Sequence, residues 1–153
     1  MKVYLSGAIE NAPDEGKKWR EEMSRWLLGS LNHEVFNPLD VDATLIDPEE
    51  QQNFRSWKMT DYERFLKVVR RFIDRDLDVL CSDIDYLICY WDRAVRKGAG
   101  THGEVTIAYH RDIPVYLVLG MPLSQVSSWI LGCSTKVFGD FDELKKYLKQ
   151  TYG

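Results

Sequence analysis

Apolar residues along the chain fall into two rhythms. Short runs rich in Val, Ile, Leu and Tyr read as buried strands: Lys2 to Ser6, ending at Ser6-Gly7; Glu34 to Phe36, stopped by Asn37-Pro38; the continuous apolar run Tyr86 to Trp91; and Pro114 to Leu119. Val137 and Phe138 suggest a short fifth strand. Between these runs the spacing is helical. Trp19, Met23, Trp26, Leu27 and Leu31 predict a helix from about Asp14 to Leu31. Thr60-Asp61-Tyr62-Glu63 is a capping-box pattern opening the longest helix, with Tyr62, Phe65, Leu66, Val69, Phe72, Ile73, Leu77 and Leu80 as its inner stripe. Further helices are expected from Thr101 to about Arg111 and around Phe141, Leu144, Tyr147 and Leu148. The stretch from Leu39 to Met59 is long for a bare loop. Within it, Asp47-Pro48-Glu49-Glu50 supplies an N-cap, a proline at the first helical position and a third-position Glu, so Phe54 and Trp57 belong on a short helix.

Strands alternating with helices predict an α/β fold: a mostly parallel sheet of about five strands, covered on both faces in three layers. The chain has 153 residues, which fits one domain over residues 1–153. Such sheets bind ligands beyond the carboxyl ends of their strands, where strand order switches. That rule selects two loops, Ser6 to Asn11 and Asp92 to Thr101.

Charge and composition narrow the partners. The net charge of −4 gives no broad basic footprint for a nucleic acid polymer. The three cysteines, Cys81, Cys89 and Cys133, match neither a disulfide framework nor a zinc spacing, and Cys89 lies in a core strand. His102 and His110 are too far apart for a zinc pair on one helix, and His33 is expected at the surface. No metal and no cofactor are expected. Nothing approaches the run of about 20 apolar residues that crosses a bilayer. The opening MKVYLSGAIE is apolar too briefly for a signal peptide, so the expected location is cytoplasmic, without a membrane partner.

The segment Gly98-Ala99-Gly100-Thr101-His102-Gly103-Glu104 concentrates the candidate chemistry. Its glycines allow close backbone approach to a ligand, and the helix start offers free N–H groups and a positive dipole end. Glu104, in the first turn, would be favoured as an ionised carboxylate there, which suits a nucleophile. A structural reading competes: Thr101-x-x-Glu104 is itself a capping box. The glycines match neither the dinucleotide nor the P-loop spacing. Asp76 shares a helix face with Phe72, Ile73, Leu77 and Leu80, where desolvation raises a carboxyl pKa as a proton donor requires. A structural Asp76 bonded to Arg75 is the alternative. Tyr4 lies near the end of the first strand, where a buried hydroxyl needs a partner such as a carboxylate. Lys17, Lys18, Arg93, Arg96 and Lys97 read as solvated charge, with phosphate contact as the alternative.

Three pieces resemble one family. Lys2-Val3-Tyr4-Leu5-Ser6-Gly7, Arg75-Asp76-Leu77 through Asp85, and Gly100-Thr101-His102-Gly103-Glu104 with Ala108 and Pro114-Val115 look like successive segments of nucleoside 2-deoxyribosyltransferases, including related N-glycoside hydrolases. The resemblance implies a flavodoxin-like sheet and a homo-oligomer in which a neighbour helps close each site. It also implies Glu104 as nucleophile, Tyr4 as the residue positioning it, and Asp76 as the assisting carboxylate. Ser6, Gly7, Ala8, Asp92, Gly98, Gly100 and Thr101 are the substrate-binding candidates, with a nucleoside or nucleotide and a free nucleobase as small-molecule partners. Base exchange is the implied reaction; release of base to water, or nucleotide sensing without turnover, are the alternatives. Many members carry Asp or Ser where this chain has Gly98, which leaves substrate choice open. Glu10 in the first loop favours a free 5′-hydroxyl over a 5′-phosphate.

Overall fold

The computed structural model describes all 153 residues. Five strands form one sheet: β1 (Lys2–Gly7), β2 (Glu34–Phe36), β3 (Tyr86–Trp91), β4 (Val115–Leu119) and β5 (Lys136–Phe138). Their order is β2-β1-β3-β4-β5 and every neighbouring pair is parallel, the flavodoxin-like arrangement. The helices are α1 (Lys17–Leu31), α2 (Pro48–Thr60), α3 (Tyr62–Ser82), α4 (Gly100–His110), α5 (Ser128–Cys133) and α6 (Phe141–Tyr152).

Side chains alternate across the strands, and this builds two cores. Val3, Leu5, Tyr86, Ile88, Tyr116 and Val118 pack with Met23 and Leu27 of α1 and Leu144 and Leu148 of α6. Tyr4, Leu87, Cys89, Val115 and Leu117 face the other way, against Leu80 of α3, Val105 and Ala108 of α4, and Ile130 of α5. β3, buried at every position but Tyr90, is apolar on both faces for this reason. A third, smaller core of Ile46, Trp57 and Val68, with Phe54, Phe65 and Phe72 against it, joins α2 to α3.

The local expectations hold with instructive exceptions. Asp47 caps α2 in a full capping box with Glu50, as its sequence indicates. Thr60, in contrast, ends α2, and Asp61 caps α3 by accepting from the Arg64 amide. The α3 stripe is also divided. Val68 is fully buried, while Tyr62 and Ile73 are exposed, because α3 serves α2 on one side and the sheet on another. His33 is buried rather than superficial: its Nδ1 lies 2.9 Å from the Tyr86 hydroxyl, beneath Tyr152. The 3₁₀ turns Arg93–Lys97 and Leu123–Gln125 and the short α5 were not indicated by periodicity. No helix is long and apolar enough to cross a membrane.

Candidate functional site

Strand order reverses between β1 and β3, and the loops leaving their carboxyl ends frame a crevice at that switch point. Tyr4 and Ser6 sit two residues apart on β1, so both point to the face covered by α4. There they meet Glu104. The Tyr4 hydroxyl donates to Glu104 Oε1 at 2.8 Å, and the Ser6 hydroxyl donates to Oε2. The capping box open to Thr101 and Glu104 is not made. Ala99 is the N-cap and makes no side-chain bond, and Glu104 lies beyond the first turn as the fifth residue of α4. Both carboxylate oxygens are therefore held by β1, not by the amides of their own helix.

Burial pushes the Glu104 carboxyl above the usual carboxylate range, and the hydrogen bonds from Ser6 and Tyr4 pull it back. The charge of Asp76 raises it further, and that of Arg20 lowers it. Burial, with the neighbouring carboxylates, keeps the Tyr4 phenol protonated and able only to donate to Glu104. Burial likewise holds the Cys89 thiol, paired in register with Ser6, in its neutral form.

Asp76 projects from α3 into the same crevice. Burial raises its pKa, and Arg75 opposes that rise. Arg75 Nε donates to Asp76 Oδ1 at 2.8 Å, so the structural pairing is present. It claims one oxygen; Oδ2 makes no hydrogen bond within the chain. Arg75 also donates to the carbonyls of Pro38 (2.8 Å) and Asp40 (3.2 Å), which ties the segment after β2 to α3.

Glu104 and Asp76 line a cavity of about 310 Å³. Gly7, Ala8, Gly98, Gly100 and Thr101 line it too, as does Glu10. Aromatic and aliphatic walls come from Phe54, Phe65, Val69 and Phe72. A second lobe of about 390 Å³ adjoins it, sharing Ile9, Phe54, Arg55, Phe72 and Asp76, and is walled by Pro38, Leu39, Val41 and Ile46. The segment from Leu39 to Met59 thus builds half of a two-lobed cleft, with Asp76 at the junction. The size and mixed lining suit a small polar ligand with an apolar face.

Two binding candidates, Ser6 and Asp92, do not line this cavity. Ser6 is fully buried and holds Glu104 instead of lining the cavity. Asp92 caps the Arg93–Lys97 turn, its Oδ1 accepting from the amides of Ala94 (2.9 Å) and Val95 (3.3 Å). It borders a separate small cavity beside Trp19 and Tyr90. Of the aromatic pair on α2, Phe54 lines both lobes, whereas Trp57 packs under Arg64 at 3.8 Å. Lys17 borders the second lobe; Arg96 instead donates to the Gln125 carbonyl at 3.0 Å. Arg55, which bonds Glu15 at 2.7 Å across the cleft, and the fully buried Arg20 escaped the sequence reading. Spacing carried a signal for Arg20, since Arg20, Met23 and Leu27 follow i, i+3, i+7 on the buried side of α1.

No family model and no curated protein matches the sequence. Among solved structures, the fold is similar to that of a Clostridium botulinum CMP N-glycosidase, BcmB, with a TM-score of 0.54, 18% identity and 99% of each chain covered. At that identity the likeness is one of fold.

Proposed function

We propose that this protein breaks the N-glycosidic bond of a nucleoside or nucleotide, with Glu104 attacking C1′. The observation that carries the reading is the Glu104 carboxylate, gripped by Tyr4 and Ser6 and turned into a cleft that also holds Asp76. Two carboxyl groups flanking one cleft, in environments that separate their roles, are what glycosidic cleavage with a covalent intermediate requires. Glu104, receiving two hydrogen bonds, is the better anion. Asp76, desolvated and with one oxygen free of protein partners, is the better acid.

In the first half-reaction a Glu104 oxygen bonds to C1′ as the C1′–N bond breaks through an oxocarbenium-like transition state. The bonding pair leaves with the base, and Asp76 supplies the proton that neutralises it. In the second, Asp76 takes a proton from water, whose oxygen bonds to C1′ and frees Glu104. The base lies against Phe54 and Phe72, between the lobes. A second nucleobase arriving in place of water gives base exchange through the same ester.

Water is the favoured acceptor, and a 5′-monophosphate the favoured sugar substituent, on the likeness to a CMP N-glycosidase. The free amides at the start of α4 and the Arg55 guanidinium in the cleft suit a phosphate; Glu10 on the same wall opposes it. Base exchange on an unphosphorylated 2-deoxynucleoside is the second reading, supported by the sequence segments around Tyr4, Asp76 and Glu104. Incubation with deoxynucleosides and ribonucleosides, with and without 5′-phosphate, and with and without a second free base, separates the two. Free base from a monophosphate alone supports hydrolysis, and a new nucleoside appearing only with added base supports exchange. Glu104→Ala retaining near-wild-type turnover on any of these substrates would refute both.

A further inference from the structure

One buried charge has no part in the steps above. Arg20 is fully buried, and no carboxylate is bonded to its guanidinium. Its donors go to main-chain oxygens. Nε reaches the Leu5 carbonyl at 3.4 Å and Nη2 the Gly7 carbonyl at 2.8 Å. Nη1 reaches those of Ala8 (3.3 Å), Glu15 (3.4 Å) and Gly16 (3.1 Å). Leu5 and Gly7 flank Ser6, whose hydroxyl holds Glu104, and Ala8 begins the cavity wall. The guanidinium therefore grips β1 on both sides of the residue that orients the candidate nucleophile. The backbone is shaped around this group. Gly16 adopts φ +71, and a Cβ there would lie 2.2 Å from Nη1.

An unpaired buried cation is costly, and a neutral donor would satisfy carbonyls at lower cost. The charge has a counterpart across the sheet. The ionisable groups acting on Glu104 are Tyr4 of β1, Asp76 of α3 and Arg20 of α1, and Glu104 in turn acts on Cys89 of β3. Arg75 of α3, bonded to Asp76, is a second cation, acting on Tyr4 and Asp76; desolvation takes the Arg20 pKa down while Glu104 takes it up.

We propose that Arg20 is a positioning residue for this site: its fork fixes β1 on both sides of Ser6 and so holds the Ser6 hydroxyl against Glu104. The proposal rests on the reading of Glu104 as nucleophile.

The test is a ¹³C-glutamate NMR titration of the folded protein, with the Glu104 carboxyl assigned by Glu104→Gln, in the wild type, Arg20→Met and Arg20→Lys. The pH dependence of kcat and KM is measured beside it. Arg20→Met is expected to raise the Glu104 midpoint by about one pH unit, with the acid limb of kcat following. Arg20→Lys keeps the charge as a point donor without the fork. It is expected to raise the Glu104 midpoint as well, because a displaced Ser6 hydroxyl no longer lowers it, and to lower kcat by about tenfold with KM little changed. A wild-type Glu104 midpoint in Arg20→Lys or in folded Arg20→Met overturns the proposal, as does wild-type kcat in Arg20→Lys. Should Arg20→Met not fold, the Glu104 midpoint of Arg20→Lys and its split between kcat and KM decide. The titration needs no substrate. A wild type that cleaves no N-glycoside therefore removes the proposed function while the Glu104 midpoints still answer for Arg20.

Discussion

Glu104 is held against its own solvation, and that gives a prediction separate from activity. Its pKa is raised in the folded state, chiefly by burial. A raised carboxyl contributes stability that is present below the unfolded value and is lost as pH rises through the folded one. Glu104→Gln removes that loss, so its Tm is expected to exceed the wild type's at pH 7 while turnover disappears. A gain on the order of 1 kcal/mol would appear as about 2–4 °C in a chain of this size. The difference is expected to vanish near pH 4, and differential scanning fluorimetry across pH reads it directly. Tyr4→Phe has the opposite balance. It withdraws a donor from Oε1, and a bond to a charged group contributes about 1.5–3 kcal/mol. The expected result is a fall in kcat of about ten- to a hundredfold, with the acid limb of the pH profile moved upward, since that bond lowers the Glu104 pKa. Asp76 stood out as a carboxylate on an apolar helix face, Tyr4 as a strand hydroxyl needing a partner and Glu104 from a glycine-rich helix start; only the family resemblance joined them as a set. Ser6 was legible in principle, standing two residues from Tyr4 on one strand face. Its size and its glycine neighbour suggested a turn, and only the partner across the sheet shows its bond.

At the scale of elements, α3 has two jobs one helical turn apart. Arg71 donates to the Leu45 carbonyl at 2.8 Å and bonds Glu50 at 2.6 Å. Arg75 bonds the Pro38 and Asp40 carbonyls and Asp76. Both arginines strap the segment after β2 to α3, but one alone touches the candidate acid. Arg75→Met and Arg71→Met are each expected to destabilise the fold by about 1–3 kcal/mol through unsatisfied carbonyls. They should differ in pH dependence. Arg75 lowers the Asp76 pKa, so its loss leaves Asp76 protonated to higher pH and shifts the basic limb of kcat upward; Arg71→Met should leave that limb in place. Equal basic limbs in the two variants would count against Asp76 as the acid. The helix start at Pro48 was readable because a capping box is local chemistry. The wall it builds was not, since which side of α3 receives Phe54 and Ile46 is a tertiary matter. The six-residue α5 was missed for a simpler reason: it is too short to complete two turns of periodicity, although Ser127 accepts from the Ile130 amide as its cap.

Across the whole molecule, stability and the candidate chemistry are spatially separate. Two cores on opposite faces of the sheet hold most buried side chains, while the cleft lies at the carboxyl edge between β1 and β3. Parallel pairing was legible because strands alternate with helices along the chain and because β3 is a continuous apolar run. The cleft was legible only as a location, since its walls come from four separate stretches of chain. This separation makes a binding test clean. Glu104→Gln should retain the fold and the cleft but stall before cleavage, so ligand that enters stays intact. A ligand at 100 times its Kd stabilises the folded state by about 2.7 kcal/mol, which is about 5–11 °C in Tm for a chain of this length. Thermal scans of Glu104→Gln with a nucleoside, its 5′-monophosphate, the free base and ribose 5-phosphate then read the two lobes separately. A shift with the monophosphate that exceeds the sum of those with base and sugar phosphate means one ligand spans both lobes, as cleavage at Asp76's junction requires. A shift with free base alone means that the base binds against Phe54 and Phe72 without the sugar reaching residue 104, and the Phe54 to Glu104 path through the cleft would not be the reaction axis.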